Sequence, residues 1–371
     1  MSHRVLFLTL RVFSATGGIE KVCRIAGKAL YELGLQYGGL VNVLALHGER
    51  DDGNANKYFP QLVFTPFEGD RVSFVRKAIA EGRRSKVVLM SHINLLVVGY
   101  FIKLFRPSVK LVLLAHGIEV WTALPGWKKK MLRKCDLILP VSHFTKDKMQ
   151  ALYGLPDKKF SVLNNCLDPF LELPLQKEKK DDLLERYGLK KEQIILLTVS
   201  RMSGMEQYKG YDKVLEALPE LVKTTPGLRY LLLGEYDSSE KRRLDSIIRE
   251  LGLEDVVIFT GFVAEEELAA HFKLGDIFIM PSEREGFGIV FIEAMFYGIP
   301  VVAGNIDGSV DALCNGELGL MVNPYNVKEI ITAVKKIISN RSGHLPDPKK
   351  LEQQFDYKGY KEKLRAAVWV L

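Results

Sequence analysis

The sequence is poor in the features that would assign a function at once. It has four cysteines: Cys23, Cys135, Cys166 and Cys314. They stand alone, without the paired spacing of a metal site or the density of a disulfide framework. The most apolar stretch, Ile93–Phe105, is interrupted by Asn94 and Lys103 and falls short of the roughly 18–20 apolar residues that a membrane-spanning helix needs. The apolar run at the N-terminus is too short for a signal peptide and predicts a first strand. We therefore expect a cytoplasmic protein.

Two motifs for binding nucleotides or metals are missing as well. No complete G-x-G-x-x-G occurs, and the nearest segment, Gly286–Phe291, lacks the last glycine, which disfavours a nicotinamide dehydrogenase. No Asp-x-Asp pair occurs either, which agrees with chemistry that needs no metal ion.

The charge of the chain is unevenly distributed. At about 150 residues per domain, 371 residues predict two domains. Residues 1–170 hold 25 Lys and Arg against 13 Asp and Glu, whereas residues 171–371 hold 27 against 32. This asymmetry predicts an anionic partner for the first half, which could be a phosphate, a membrane surface or nucleic acid.

Short apolar runs alternate with helical patterns, which predicts βαβ units and parallel sheets, an α/β fold. In the first half, the predicted strands include Gln61–Thr65 and, last, Phe160–Leu163. Prolines and charges then interrupt the pattern before a second series begins. The expected organisation is a first domain at 1–170, a linker at 171–185, a second domain at 186–357 and a terminal helix within 358–371. Open parallel sheets bind ligands at the carboxyl ends of their strands, so the cleft between the domains is the expected site.

Glycines open two of the predicted helices. Gly17 and Gly18 precede the first helix, and Gly286 and Gly288 precede a helix of the second half. Such turns let a phosphate approach the backbone N–H groups at the helix start, although a flexible turn is the alternative.

Two glutamates stand near the second of these turns. Glu285 lies in the loop and Glu293 about five residues into the helix, very roughly 8–12 Å away. That distance is too long for one acid/base pair but suits two groups that grip the hydroxyls of a long ligand. For Glu293, in an apolar helix, a structural salt bridge is the alternative.

Basic residues and a histidine follow other strands. Arg201 and Lys209 lie eight residues apart in a loop after the first strand of the second half, where they could hold a diphosphate or remain solvated. His116 follows a strand of the first half and is either a ligand contact or a satisfied core histidine.

Taken together, these segments resemble a known family. The chain is similar to the retaining glycosyltransferases of family four, whose GT-B architecture has two Rossmann-like domains facing a central cleft. The segments that carry the resemblance are SRMSGMEQYKG, LLLGE, FTGFV and EGFGIVFIEAM, in that order along the second half.

The resemblance implies a role for each matched residue of the second domain. Arg201 and Lys209 would hold the diphosphate of the donor, Glu285 would contact hydroxyls of the transferred sugar, and Glu293 would bind the ribose. The remaining donor-binding residues would line the phosphates or the base: Gly261, Phe262, Val263, Gly286, Phe287, Gly288 and Ile289.

In the first domain, Gly17 and Gly18 would close over the diphosphate and His116 would lie beside the reacting sugar. The resemblance also implies that this domain binds the acceptor and that the final helix crosses back onto it.

The implied activity is the transfer of a hexose, with retention and without a metal or other cofactor. The expected donor is UDP-glucose or a related UDP-hexose, with GDP-mannose as the other candidate. The expected acceptor is an anionic glycan or a polyprenyl-diphosphate-linked glycan of surface polysaccharide biosynthesis. The alternatives are a nucleotide-sugar 2-epimerase of the same fold and a nucleotide-sugar-binding protein without activity.

The basic first half is then expected to meet an anionic acceptor or the inner face of the plasma membrane, and not nucleic acid. Trp127, Met131 and Leu132 are predicted to form the apolar face of a membrane-docking helix beside Lys128–Lys130, with a solvated helix as the alternative.

Overall fold

The structure, a computed structural model, describes residues 3–14, 17–53, 56–172 and 179–370. They form two compact units. The first unit runs to Phe170 and takes up the chain again from Phe355, and the second unit is Leu171–Gln354. Each unit contains a six-stranded sheet in which all described strand pairs are parallel. The fold class is therefore α/β, as the alternating pattern predicted.

The sheet of the first unit has the strand order β3-β2-β1-β4-β5-β6. Its strands are β1 Arg4–Thr9, β2 Leu40–Ala45, β3 Phe64–Pro66, β4 Val87–Met90, β5 Lys110–Ala115 and β6 Leu137–Pro140. The helices are α1 Gly18–Tyr37, α2 Arg71–Gly82, α3 Leu96–Phe105, α4 Gly126–Leu132 and α5 His143–Tyr153. The helix α14 Tyr357–Val368 joins them from the end of the chain.

Both faces of this sheet are covered, which explains why its strands are almost continuously apolar. Val5 and Phe7 of β1 belong to one hydrophobic cluster, and Leu6 and Leu8 belong to the cluster on the other face. The alternation follows from the period of two in a strand.

The end of the chain packs on the first helix of this unit. Tyr357 and Lys361 of α14 both contact the carboxylate of Glu32 on α1, at 3.1 and 2.9 Å. The rings of His3 and Trp369 stack at 5.0 Å. These contacts make α14 part of the first unit.

The second unit repeats the same topology, with strand order β12-β11-β10-β7-β8-β9. Its strands are β7 Ile195–Val199, β8 Arg229–Leu233, β9 Val257–Gly261, β10 Ile277–Met280, β11 Val301–Gly304 and β12 Leu320–Val322. Its helices are α6 Asp181–Arg186, α7 Tyr211–Thr224, α8 Ser238–Glu250, α9 Glu265–Phe272, α10 Ile289–Phe296, α11 Ser309–Ala312, α12 Val327–Ser339 and α13 Pro348–Phe355.

The structure corrects the sequence prediction at two strands. Phe160–Leu163 is not a strand: only Phe160 bridges to Ile138, although Leu163 N–H also donates to the carbonyl of Pro140. Its apolar side chains enter the core from an irregular segment, which produced the strand-like pattern. Gln61–Val63 is a short 3₁₀ turn after Pro60, so the strand there begins only at Phe64.

The second part of the predicted linker interval contains a helix. The helix α6 begins at Asp181, inside the interval 171–185, and buries Leu183 and Leu184. Residues 173–178 of that interval lie outside the described part of the chain.

The predicted apolar face of α4 is wrong. Leu132 is fully buried and Met131 packs against the core, so of the three residues only Trp127, 55% exposed, is on the surface. The helix has seven residues, and of its three lysines Lys130 is exposed whereas Lys128 and Lys129 are half-buried. Among the described residues, no helix is long and apolar enough to cross a membrane.

Candidate active site

The loops that follow β7 and β10 carry the predicted catalytic residues of the second unit. The strand order reverses between these two neighbouring strands, and ligands of open α/β sheets bind outside the carboxyl ends at such a switch point. Arg201 and Lys209 lie in the loop between β7 and α7, and Glu285 lies in the loop between β10 and α10. The topology therefore brings these three side chains to one edge of the sheet.

A glycine allows the two loops to touch. A Cβ on Gly210 would collide with the carbonyl of Pro281, and Gly210 has a φ of 77°, which favours glycine. Beside this contact, the N–H of Glu283 donates to the carbonyl of Tyr208 at 2.8 Å. The position of the first loop is therefore set by the second.

Asp307 holds the second loop from the other side, and sequence reasoning missed it. One carboxylate oxygen accepts from the Ser282 hydroxyl at 2.8 Å and from the Glu285 N–H at 2.7 Å, and the other accepts from the Ser309 N–H at 2.9 Å. Burial raises the pKa of Asp307 to about 6, although these hydrogen bonds oppose the shift. The only signal in the sequence was an Asp-Gly-Ser turn after β11, which is common in loops.

Gly308 completes this support. Its N–H donates to the carbonyl of Glu285 at 2.8 Å, and a Cβ there would collide with the carbonyl of Gly286. Asp307 and Gly308 together fix the backbone that presents Glu285.

Lys209 and Glu285 form an ion pair at the switch point. The Lys209 Nζ donates to the Glu285 carboxylate, and the two side chains are 18% and 17% exposed. Burial alone would lower the pKa of Lys209, but the charge of Glu285 outweighs it and the pKa is raised. The Lys209 ammonium group therefore stays protonated, and it lies beside the Glu285 carboxylate.

Arg201 is also paired, with a residue that the sequence reasoning did not single out. Its Nε and Nη2 donate to the two carboxylate oxygens of Glu206 at 3.1 and 2.9 Å. The Arg201 side chain is nevertheless 64% exposed, so the fork can exchange this carboxylate for another anion. No sequence pattern distinguishes Glu206 from the other charges of this loop.

The start of α10 supplies backbone donors to the same edge. Gly288 has a φ of 82° and precedes Ile289, the first residue of the helix, while Phe287 is buried. The first amides of a helix point out of its N-terminus and carry partial positive charge. Glu293, the fifth residue of α10, is 3% exposed and lies inside the unit.

The predicted base-binding segment lies farther along the edge. Gly261 ends β9, and its carbonyl accepts from the Gly234 N–H after β8 at 3.2 Å. Phe262 is 56% exposed and Val263 follows it in the loop to α9. One strand, β8, lies between β9 and the switch-point strand β7.

The remaining predicted residues belong to the first unit. Gly18 begins α1 and Gly17 precedes it in an extended conformation. His116 follows β5, and its backbone N–H donates to the Glu119 carboxylate at 2.6 Å. Its Nε2 lies 2.8 Å from the carbonyl of Ser91, after the neighbouring strand β4.

Within the ranges that the structure describes, no group of three or more His, Cys, Asp or Glu side chains is arranged to hold a metal ion.

Comparisons with known proteins cover nearly the whole chain. The family model of glycosyl transferases group 1 matches residues 179–362, and the model of Glycosyltransferase Family 4 matches residues 16–169. A GDP-mannose-dependent alpha-(1-6)-phosphatidylinositol monomannoside mannosyltransferase of Mycolicibacterium smegmatis is 30% identical over 242 residues, 62% of this chain and 61% of the relative. The alpha-D-kanosaminyltransferase of Streptomyces kanamyceticus is 27% identical over 57% of this chain and 54% of its own. The match thus spans about 60% of the first of these relatives.

Solved structures share the fold over almost the full length. HepE of Anabaena in complex with UDP superposes with a TM-score of 0.81 at 19% identity, covering 99% of this chain and 100% of that chain. Sucrose-phosphate synthase of Thermosynechococcus elongatus gives a TM-score of 0.75 at 18% identity, covering 98% of each chain.

The two sheets of identical order and the switch-point site define the GT-B class of α/β proteins. Within that class, the chain belongs to the family-four glycosyltransferases, of the group 1 type.

Proposed function

We propose that the protein transfers a hexose from a nucleotide diphosphate sugar to a hydroxyl of a glycan or lipid-linked glycan, with retention and without a metal ion. The observation that carries this proposal is the Lys209–Glu285 pair at the switch point of the second unit. It combines a cation for a diphosphate with a carboxylate that accepts hydrogen bonds from sugar hydroxyls. Arg201, in the same loop as Lys209, adds a second cation.

The proposed reaction breaks the bond between C1 of the hexose and the diphosphate oxygen, which keeps the electron pair. Negative charge grows on the leaving diphosphate, where Lys209, Arg201 and the N–H groups at the start of α10 stabilise it. The acceptor oxygen bonds to C1 on the face that the diphosphate leaves, and the proton of the acceptor hydroxyl passes to the leaving phosphate oxygen. Glu285 holds the sugar by its hydroxyls throughout.

Arg201 must exchange a partner during this cycle. Its guanidinium group is bidentate to Glu206 in the present structure, and a diphosphate would take the place of that carboxylate. Exposed ion pairs contribute only about 0–1 kcal/mol, so the exchange costs little.

The comparisons support two donors in different ways. The M. smegmatis relative is named as GDP-mannose-dependent, whereas HepE was solved with UDP and with UDP-glucose. We retain UDP-glucose or a related UDP-hexose as the first candidate and GDP-mannose as the second. The chain's own base-binding segment, Gly261–Val263, contacts either base through a glycine and an exposed phenylalanine in this proposal.

The activity is tested by incubating the purified protein with UDP-glucose, UDP-galactose or GDP-mannose and measuring the released nucleoside diphosphate by chromatography. One donor should be cleaved, with water in the place of the acceptor hydroxyl, at the same rate with and without EDTA. A requirement for added Mg²⁺ or Mn²⁺ would contradict the metal-independent route. Release of nucleoside diphosphate with rearranged free sugar as the only product would favour the 2-epimerase alternative.

We also propose that the first unit approaches an anionic membrane that holds the acceptor, at the inner face of the plasma membrane. Three large apolar side chains of the same helix, Phe101, Leu104 and Phe105 of α3, are 41 to 58% exposed, and apolar patches of this kind mark interaction surfaces. The Arg83 guanidinium lies 6.0 Å from the centre of the Phe105 ring, and Arg106 donates to the Arg83 carbonyl. Apolar residues among cations suit the surface of an anionic bilayer.

Co-sedimentation with vesicles of neutral lipid alone, or with one third anionic lipid, tests this surface. Binding should require the anionic lipid and weaken in the double variant Leu104→Ser, Phe105→Ser. The matched control is Leu62→Ser, an exposed leucine (94%) outside α3. Equal sedimentation of all three proteins, or no binding to either vesicle, would remove the proposal.

A further inference from the structure

Glu240 is a buried carboxylate of the second unit that the proposed reaction does not use. It is the third residue of α8 and is 2% exposed. A charged group at this depth is costly unless its oxygens accept hydrogen bonds. Its Oε1 accepts from the Tyr211 hydroxyl at 2.7 Å, and its Oε2 accepts from Nε2 of Gln207 at 2.9 Å. The guanidinium group of Arg243 donates to both oxygens, at 2.6 and 3.0 Å.

Glu240 is ionised in this environment. Burial would raise the pKa of its carboxyl group, but the hydrogen bonds from Arg243, Gln207 and Tyr211 outweigh burial, and the pKa is lowered. An ionised carboxylate accepts at both oxygens, whereas a protonated one would present a donor at one of them. Glu240 can therefore hold Gln207 and Tyr211 at the same time.

The carboxylate of Glu240 does not cap its own helix. Asp237 is the N-cap of α8 and accepts from the Glu240 N–H at 2.7 Å, which is one half of a capping box. In the other half, the glutamate would accept from the N–H of the N-cap residue. That N–H donates instead to the carbonyl of Met202 at 3.0 Å. The Glu240 carboxylate is therefore free to bind Gln207 and Tyr211, which lie outside α8.

Gln207 connects Glu240 to the site. Gln207–Lys209 is a single short 3₁₀ turn, so an anchor on Gln207 limits the movement of the Lys209 backbone. The start of α8 holds the same loop at a second place, because Asp237 Oδ2 accepts from the Gly204 N–H at 3.1 Å. The loop that carries Lys209 is thus held by α8 as well as by the loop that carries Glu285.

We propose that Glu240 is a positioning residue for the Lys209–Glu285 site, and that through Gln207 it sets where the Lys209 ammonium group meets the diphosphate. The inference rests on the proposed function for the role of Lys209 at a diphosphate. A displacement of about 1 Å in such a group can lower a reaction rate about 100-fold, so an anchor two residues from Lys209 affects catalysis without touching the substrate.

Three variants separate positioning from a purely structural role. Gln207→Met removes the donor but keeps the length of an exposed side chain, so the native fold should remain. Gln207→Glu places a second carboxylate against Glu240. Combining it with Glu240→Gln restores the total charge of the wild type and the hydrogen bond, with donor and acceptor exchanged. Gln150→Met is the matched control, because Gln150 Nε2 also donates to a carboxylate, that of Asp157 at 3.2 Å, but on α5 of the first unit.

The first measurement is hydrogen–deuterium exchange of residues 203–210 in the full chain without ligand. These amides should exchange at least about fivefold faster in Gln207→Met and in Gln207→Glu than in the wild type, because an anchor of the loop is lost. The exchange should return towards the wild-type rate in the double variant and be unchanged in Gln150→Met.

The second measurement is the steady-state kinetics of the same proteins with the donor that the wild type cleaves. The turnover number should fall at least about fivefold in both single variants at residue 207, and KM should rise by a smaller factor, because the charge on the diphosphate is largest in the transition state. The double variant should recover at least about threefold over Gln207→Glu. Gln150→Met should behave as the wild type does.

Failure of this inference is distinguishable from failure of the proposed function. If the loop amides exchange at the wild-type rate in both single variants, Glu240 does not hold the loop and the inference is wrong. If the amides exchange faster but the turnover number is unchanged, Glu240 has a structural role alone and positioning is contradicted. If the amides respond as expected but the wild type cleaves no nucleotide sugar, the anchor on the Lys209 loop is supported and the transferase activity is contradicted.

Discussion

Replacing Asp307 by Asn tests how the loop that carries Glu285 is held, through the pH dependence of stability. Burial raises the pKa of Asp307 from its ordinary 3.8 to about 6 in the folded protein. The folded state therefore binds this proton more tightly than the unfolded chain does. The stability that the proton contributes is fully present below pH 3.8 and is lost as the pH rises through 6.

The size of the effect follows from the shift. One pKa unit corresponds to about 1.4 kcal/mol, so the loss over the whole range is about 3 kcal/mol, of which about 2 kcal/mol falls between pH 4.5 and pH 7.5. Asn has no proton to lose in this range. The free energy of unfolding of the wild type minus that of Asp307→Asn should therefore decrease by about 2 kcal/mol between these pH values. The lost hydrogen bond to the Glu285 N–H adds a constant offset that does not affect the slope.

The assay is urea unfolding with two probes. The three tryptophans, Trp121, Trp127 and Trp369, all belong to the first unit, so their fluorescence follows that unit alone. Far-ultraviolet circular dichroism follows both units, and the transition seen only by circular dichroism is that of the second. The quantity compared is the free energy of unfolding of the wild type minus that of Asp307→Asn. If this difference stays constant or increases as the pH rises, Asp307 is not a carboxylate that burial destabilises.

Two further substitutions probe the surroundings of the site, and a third probes the proposed membrane surface. Gly308→Ala forces the loop at Gly286 to shift, so the free energy of unfolding should fall by about 1–3 kcal/mol. Calorimetry should show at least a tenfold loss of nucleoside diphosphate affinity. Unchanged affinity would contradict the close approach of Gly308 to Gly286. Glu206→Gln removes the carboxylate that competes with the nucleoside diphosphate for Arg201. Nucleoside diphosphate should therefore bind a few-fold more tightly, with little change in stability. Weaker binding would mean that Glu206 positions Arg201 instead. Phe105→Ser should leave donor cleavage in solution unchanged, and a loss of that cleavage would exclude a purely surface role.

The sequence predicted the α/β class and the edge of the sheet at which Arg201, Lys209 and Glu285 meet. It could do so because Arg201, Lys209 and Glu285 follow apolar strands, and a parallel sheet collects the ends of such strands at one edge. The family resemblance then supplied roles that spacing alone left open. These roles remain predictions for this chain.

What the sequence could not predict depends on contacts between distant segments. Asp307 contacts a loop 22 residues earlier in the chain, and nothing local distinguishes it from a turn residue. The orientation of the His116 ring depends on the carbonyl of Ser91, 25 residues earlier in the chain. The apolar face predicted for α4 was wrong for a similar reason. Leu132 fits an amphipathic pattern but is buried in the core, whereas Phe105, in the apolar stretch that forms α3, is exposed.

The central claim is that Lys209 and Glu285 perform the sugar transfer. The most direct test measures the turnover numbers of Lys209→Met and Glu285→Gln with the donor that the wild type cleaves. The matched control is Lys213→Met, which removes the lysine of a more exposed ion pair with Glu216 on α7. Each variant is checked by circular dichroism for the native fold. We predict that the turnover number falls at least about 100-fold in both site variants, since each group stabilises charge or position in the transition state, and stays within about twofold in the control. Folded Lys209→Met and Glu285→Gln proteins that cleave the donor at the wild-type rate would contradict the account.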